Sequence, residues 1–138
     1  MTIGWGTLGI EWNRPIFILY VRESRHTMQM LEENGEFTIN VPMGEIDSKI
    51  LGFCGTKSGR DVDKIKEMNL TIEDPEVISV PGFRELPLTL ECKVLFKNKQ
   101  DEARLPQEIR DRYYSGGKNT GDFHYAYYAE IVSAYIIE

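Results

Sequence analysis

The last stretch of the chain sets the strongest limit on its fold. From His124 to Glu138 the residues favour extended backbone, with Tyr125, Tyr127, Ala129 and Ile131 on one face and Ala126, Tyr128, Val132 and Ile136 on the other. Side chains of a strand alternate between the two faces of a sheet, so apolar and aromatic groups on both faces require cover on both. Such a strand lies in the middle of a sheet or beneath a partner subunit, and the remaining elements have to be arranged around it.

Other segments supply its neighbours. Ile16 to Val21 is a continuous apolar run that reads as a strand. Glu36 to Val41 alternates, with Phe37, Ile39 and Val41 inward and Asn40 on the opposite face, and Pro42 closes it. Leu88, Leu90, Cys92, Val94 and Phe96 alternate with Thr89, Glu91, Lys93 and Lys97 as a half-buried strand, and only Leu95 is out of phase. Short helices interrupt the strands. One runs from Arg25 to Glu33 and stops at Asn34-Gly35. Asp47 caps a second that carries Ile50, Phe53 and Cys54, and Asp61 caps a third with Val62, Ile65 and Met68 on one side. Leu105, Ile109 and Tyr113 lie one turn apart in a fourth, which Gly116-Gly117 ends. The pattern predicts a mainly β protein, a β-barrel with inserted helices, as one domain over residues 1–138.

Composition narrows the partners. A net charge of -6 argues against general nucleic-acid binding, which needs a basic face. No apolar run approaches the ~20 residues needed to cross a bilayer. Met1 is not followed by a basic segment and an apolar core of the secretory type. Cys54 and Cys92 fit no metal-ligand pattern and read as free thiols, so a cytoplasmic protein without a metal site is expected.

Several familiar motifs fail on context. Gly4-Trp5-Gly6-Thr7-Leu8-Gly9 matches G-x-G-x-x-G, but no strand precedes it and Glu11-Trp12-Asn13-Arg14-Pro15 is not helical, so a dinucleotide fingerprint is rejected. Its glycines suggest instead a turning backbone, or one that a flat ligand can approach. Thr56 stands where a phosphate P-loop needs glycine before Lys57-Ser58. There is no G-x-S-x-G or H-E-x-x-H, and the chain has only two histidines, His26 and His124. No side chain is identified as a catalytic acid, base or nucleophile.

One segment does promise binding chemistry. In Arg22-Glu23-Ser24-Arg25-His26-Thr27, a strand ends and a helix begins, with Ser24 as the expected N-cap. Free N–H groups, the positive end of the helix dipole and the guanidinium groups of Arg22 and Arg25 together suit a phosphate. The plain alternative is an ordinary capped helix with solvated arginines.

Taken in order, Thr2-Ile3-Gly4-Trp5-Gly6-Thr7-Leu8-Gly9, Arg22-Glu23-Ser24-Arg25-His26-Thr27, Phe37-Thr38-Ile39-Asn40-Val41-Pro42 and Cys54-Gly55-Thr56-Lys57-Ser58-Gly59-Arg60-Asp61 resemble flavin-reductase-like proteins of the flavoredoxin type. Pro87-Leu88-Thr89-Leu90-Glu91-Cys92 and Gly121-Asp122-Phe123-His124 extend the resemblance over nearly the whole chain. It implies an FMN-binding split β-barrel without the usual first strand, since family members carry a further strand and turn ahead of the segment where this chain begins. It also implies a homodimer with FMN near the interface. Ser24, Arg25 and Thr27, with Arg22 adding charge, would hold the phosphate, assisted by Lys57 or Ser58. Thr2, Ile3, Trp5 and Gly6 would border the ring and ribityl chain, and Asn40, Cys54 and Gly55 would line the pocket.

The implied activity is that of an NAD(P)H-dependent oxidoreductase, with electrons passing from flavin to free flavin, a ferric complex or a redox protein. A flavin carries hydride chemistry on its own ring, which explains how a chain poor in catalytic side chains can be an enzyme. Related reductases have a Gly-Asp-His motif associated with nicotinamide, making His124 a nicotinamide contact, although Phe123 interrupts the motif here. The alternatives are an FMN-binding electron carrier that does not oxidise NAD(P)H, and a dimeric barrel without cofactor.

Overall fold

The computed structural model describes residues 1–138. A five-stranded antiparallel sheet is built from β1 (Gly6–Glu11), β2 (Arg14–Arg22), β3 (Glu36–Val41), β6 (Leu88–Lys99) and β7 (His124–Ile136), in the order β1-β2-β7-β6-β3. The strand that apolar groups on both faces marked as central is central: β7 pairs with β2 on one side and β6 on the other. A small second sheet pairs β4 (Ile72–Glu73) with β5 (Gly82–Phe83). Between the strands lie α1 (His26–Asn34), α2 (Ser48–Thr56), α3 (Lys64–Glu67) and α4 (Gln107–Tyr113). The edges β1 and β3 do not pair, so the barrel is open. No helix is long and apolar enough to cross a membrane.

The main core lies on one face of this sheet. Leu19 and Val21 of β2, Phe37 of β3, Cys92 of β6, and Tyr127 and Ala129 of β7 meet Leu31 of α1 there, with Phe17, Ile3, Met28, Ile39, Leu90, Val94 and Ile131 around them. Helix α1 ends at Gly35, in the left-handed region at φ 69°, as its Asn-Gly signal predicts. Tyr127 is 1% exposed, and its hydroxyl donates to Glu32 Oε1 at 2.8 Å.

Four features differ from the sequence expectations. First, the glycine-rich opening turns only at Gly4, which lies in a bend at the pocket; from Gly6 onward it forms β1, all of it exposed, and joins β2 through Trp12 and Asn13 at φ 52° and 55°. The pairing of Glu11 with Arg14 leaves a two-residue hairpin loop, which adopts positive φ at both positions to match the twist of its strands. Gly6 makes room for Phe17, because a Cβ there would lie 2.7 Å from the tip of the Phe17 ring and the ring would have to shift. Second, Asp63 rather than Asp61 caps α3, accepting from the N–H groups of Ile65 and Lys66. Third, Ile136 does not stay on the face of Ala126 and Tyr128. Two register shifts, at Val132 in β7 and at Leu95 in β6, switch the phase of the alternation, so Ser133 and Tyr135 pair with Glu91 and Thr89 while Ile136 pairs with Leu88.

Fourth, the polar side of β6 is buried over its first half, although Lys93 and Lys97 further along are exposed. Thr89 and Glu91 are both 0% exposed, beneath the chain that joins β4 and β5. The Glu91 carboxylate accepts from the N–H groups of Glu76 at 2.6 Å, Val77 at 2.7 Å and Ile78 at 3.0 Å, and from the Tyr135 hydroxyl at 2.9 Å. Burial pushes this carboxyl up, but the N–H donors of Glu76, Ile78 and Val77 and the Tyr135 hydroxyl outweigh it and hold it below the usual carboxylate range. Removing the carboxylate strands three N–H groups. Glu91→Ala is therefore expected to cost at least about 3 kcal/mol, at roughly 1–3 kcal/mol for each stranded donor, read as a lower midpoint in urea unfolding.

Candidate functional site

The register of β2 against β7 places Arg22 opposite His124. The turn between β2 and α1 therefore faces the segment that leads into β7. Arg22 Nη1 donates to the Asp122 carbonyl at 2.8 Å, Nη2 donates to the Tyr113 carbonyl at 3.1 Å, and the Glu23 N–H donates to the Phe123 carbonyl at 3.0 Å. The Arg22 guanidinium also lies 5.1 Å from the centre of the Tyr114 ring. Arg22 thus acts mainly as a clamp between the two segments.

A pocket of about 170 Å³ opens beside this junction, lined by Met1, Thr2, Ile3, Gly4, Trp5, Tyr20, Arg22, Arg25 and His124. The opening segment is tied to α2: the Thr2 hydroxyl donates to the Leu51 carbonyl at 2.8 Å, and a Cβ on Gly55 would lie 3.3 Å from Thr2 Oγ1. Gly55 accordingly gives Thr2 room. The corner at the start of α1 also meets the loop after α2. Arg60 Nη1 donates to the Ser24 carbonyl at 3.3 Å, and a Cβ on Gly59 would lie 3.5 Å from His26 Cδ2. Both segments named with the phosphate turn in the sequence thus come against it in space.

Individual residues fare differently. Ser24 is not the N-cap; Arg25 holds that position without a side-chain cap bond. The Ser24 donors are instead taken by Asp122, whose carboxylate accepts from Ser24 N–H at 2.9 Å and from Ser24 Oγ at 2.6 Å. Asn40 lies outside this pocket, with its Oδ1 accepting from Phe83 N–H at 3.2 Å and its Nδ2 donating to Thr38 Oγ1 at 2.9 Å. Ser58 Oγ accepts from Arg60 N–H at 3.2 Å, and neither Ser58 nor Lys57 lines the pocket. The Cys54 carbonyl accepts from Lys64 Nζ at 2.7 Å, and Cys54 and Cys92 are both free thiols. Gly6 serves the β1–β2 hairpin. What remains for an anion is the first turn of α1. There the N–H groups of His26 and Thr27 have no acceptor in the chain, His26 Nδ1 is buried without a partner, and Arg25 faces the pocket. These orphaned donors fit a phosphate.

Tyr20, Tyr114 and Gln100 were not singled out from sequence, and Asp122 was named only as part of the Gly121–His124 segment. Tyr20 could have been found, since it shares its strand face with Arg22 two residues on. Tyr114, Gln100 and the hold of Asp122 on Ser24 are recognisable only from contacts. Tyr114 and Gln100 surround His124, which is 7% exposed: its Nδ1 lies 2.6 Å from the Tyr114 hydroxyl, and its ring centre is 4.9 Å from that of Trp5. Burial first, then the charge of Arg22, lowers the His124 pKa to about 4, with Asp122 opposing and Arg25 adding to the shift. The imidazole is therefore neutral around neutral pH. In the unfolded chain it titrates near the ordinary histidine value of 6.5, so between that pH and about 4 only the unfolded chain binds the proton. Stability should then fall as pH drops through this window and not change from this group above it. His124→Gln should flatten that part of a pH series of urea midpoints.

Residues 1–137 match the family model described as flavin reductase like domain. An uncharacterized protein of Archaeoglobus fulgidus is 30% identical over 95 residues, covering 69% of this chain and 52% of that protein. Nitrilotriacetate monooxygenase component B from Bacillus cereus superposes with a TM-score of 0.70 at 19% identity, covering 96% of this chain and 59% of that one. Flavoredoxin from Methanosarcina acetivorans gives 0.66 at 26% identity, covering 98% of this chain and 59% of its own. The chain thus spans little more than half the length of the proteins it matches. The open sheet is the split barrel of these structures, and the chain belongs to the flavin-reductase-like family.

Proposed function

We propose that this protein, as a single domain over residues 1–138, binds FMN and acts as an NAD(P)H-dependent flavin reductase. The observation that carries this reading is the convergence of three separate segments on one pocket: Arg25 at the start of α1, ahead of two N–H groups without an acceptor, the Thr2–Trp5 stretch and His124. Arg25 and the N–H groups of His26 and Thr27 would hold the phosphate, with the Thr27 hydroxyl beside them. Thr2, Ile3 and Trp5 would border the ring and ribityl chain. Bound flavin supplies hydride acceptance and release of electrons to free flavin, a ferric complex or a redox protein. The chain's part is to fix the cofactor at both ends, exclude water with Trp5 and Ile3, and present His124 without a charge.

The pocket also bears on assembly. At about 170 Å³ it is well below the ~300–1,000 Å³ typical of small-molecule sites. It can enclose one end of a flavin nucleotide and leaves the rest on the open side of the barrel. A homodimer with FMN near the interface supplies the missing cover. One observation favours an electron carrier instead: Phe123 separates Asp122 from His124 and stacks on Tyr114 at 4.6 Å.

Charge-assisted hydrogen bonds to a phosphate contribute roughly 1.5–3 kcal/mol each. Arg25→Ala should therefore weaken FMN binding at least about tenfold in a fluorescence titration; unchanged affinity would remove this turn from the site. Anaerobic mixing of FMN-loaded protein with NADH and NADPH separates the two readings. Bleaching of the flavin band is expected of the reductase, whereas a persistent band identifies the carrier.

A further inference from the structure

The hydrogen bonds around His124 fix which of its ring nitrogens carries the proton. The His124 backbone N–H can only donate, and it donates to Gln100 at 3.1 Å. The Gln100 atom it meets is therefore the carbonyl oxygen, Oε1. That same oxygen lies 2.7 Å from the Tyr114 hydroxyl, and an amide oxygen has no hydrogen to offer. The single Tyr114 proton is thus committed to Gln100. The 2.6 Å contact between the Tyr114 oxygen and His124 Nδ1 then needs a proton from the imidazole. Nδ1 carries it, and Nε2 is left with a lone pair. The arrangement is rigid, because Gln100 N–H in turn donates to the His124 carbonyl at 3.0 Å, and Phe123 stacks on Tyr114.

Nε2 has no partner in the chain, yet it is absent from the fully buried polar atoms, so it retains contact with the pocket that His124 lines. Its neighbours there are the Trp5 ring and the cationic Arg22 and Arg25. Every charged side chain around the pocket is a hydrogen-bond donor, and Nε2 stands among them as a side-chain acceptor.

We propose that Gln100 and Tyr114 are positioning residues that hold His124 as the Nδ1-protonated tautomer, so that the pocket offers a fixed acceptor and selects a ligand bearing an N–H donor at that point. A ligand presenting only an acceptor there would set two lone pairs against each other. The assignment of this ligand to a reduced or oxidised nicotinamide, through its carboxamide, rests on the reductase reading; the tautomer does not.

The test is nitrogen NMR of the full chain labelled at histidine, recorded above neutral pH, where two-bond couplings distinguish a bare from a protonated ring nitrogen. The wild type should show His124 with bare Nε2; a protonated Nε2 overturns the proposal. In Gln100→Leu the Tyr114 proton is freed to donate to Nδ1, so the bare and protonated nitrogens should exchange places. Gln100→Glu keeps an acceptor at that point and should keep the wild-type tautomer. Tyr114→Phe removes the acceptor for Nδ1–H and should also shift the proton to Nε2, which decides the matter if Gln100→Leu does not fold. An unchanged tautomer in the folded variants overturns the role of the pair. On FMN-loaded protein, Gln100→Leu should raise the apparent KM for the active nicotinamide about fivefold, as expected for one neutral hydrogen bond, with Gln100→Glu near the wild type. Equal KM values overturn the selection of an N–H donor. Failure of NADH and NADPH to reduce the flavin at all defeats the reductase reading and leaves the NMR result to decide the tautomer.

Discussion

The register that sets Arg22 against His124 is the constraint on which the pocket depends. It brings the end of β2 to the beginning of β7, so the turn before α1 and the Gly121–His124 segment become one unit although a hundred residues separate them. Arg22 secures the unit by donating to two carbonyls, and hydrogen bonds of this charged kind contribute roughly 1.5–3 kcal/mol each. This spends Arg22 on structure and leaves Arg25 as the arginine free to meet a ligand. The division of labour between two nearby arginines follows from a strand register rather than from their chemistry.

The same unit changes the meaning of Ser24. A serine before a helix ordinarily serves the helix or a ligand with its hydroxyl. Here Asp122 takes both the N–H and the hydroxyl, so a side chain from the β7 approach braces the turn from outside. The donors left over belong to the backbone of α1, where an anion is held by position and dipole more than by any particular side chain. An analogous substitution occurs on the back of β6, where the Glu91 carboxylate fastens three successive N–H groups of a connection that has no strand partner at those positions.

Much of this was legible in the sequence because it is governed by short-range pattern. The two-faced apolar character of β7 fixed its central place, Asn34-Gly35 marked the end of α1, and Asp47 marked the start of α2. The rejection of a dinucleotide fingerprint at Gly4–Gly9 also agrees with a hairpin where a helix would be needed. Long-range partners were not legible. Nothing local distinguishes Asp63 from Asp61 as a cap, or shows that the Phe17 ring takes the space beside Gly6. Asn40 matched a family segment, yet its amide is committed to β5, because only the folded chain brings Phe83 to it. Glu91 looked solvated from its alternation, and the connection that buries it lies more than a dozen residues earlier.

The two register shifts between β6 and β7 have a consequence for the contacts that lie beyond them. The extra residue in β7, Val132, and the extra residue in β6, Leu95, offset one another, so the strands leave the irregular stretch in the same pairing register in which they came to it, each with its alternation switched. Loss of one insertion alone would rotate the whole remaining length of its strand through half a turn. Lys97 and Lys99 would be carried away from Tyr125, or Tyr135 from Glu91. The two irregularities are therefore coupled: each keeps the contacts beyond it in place only while its counterpart is present.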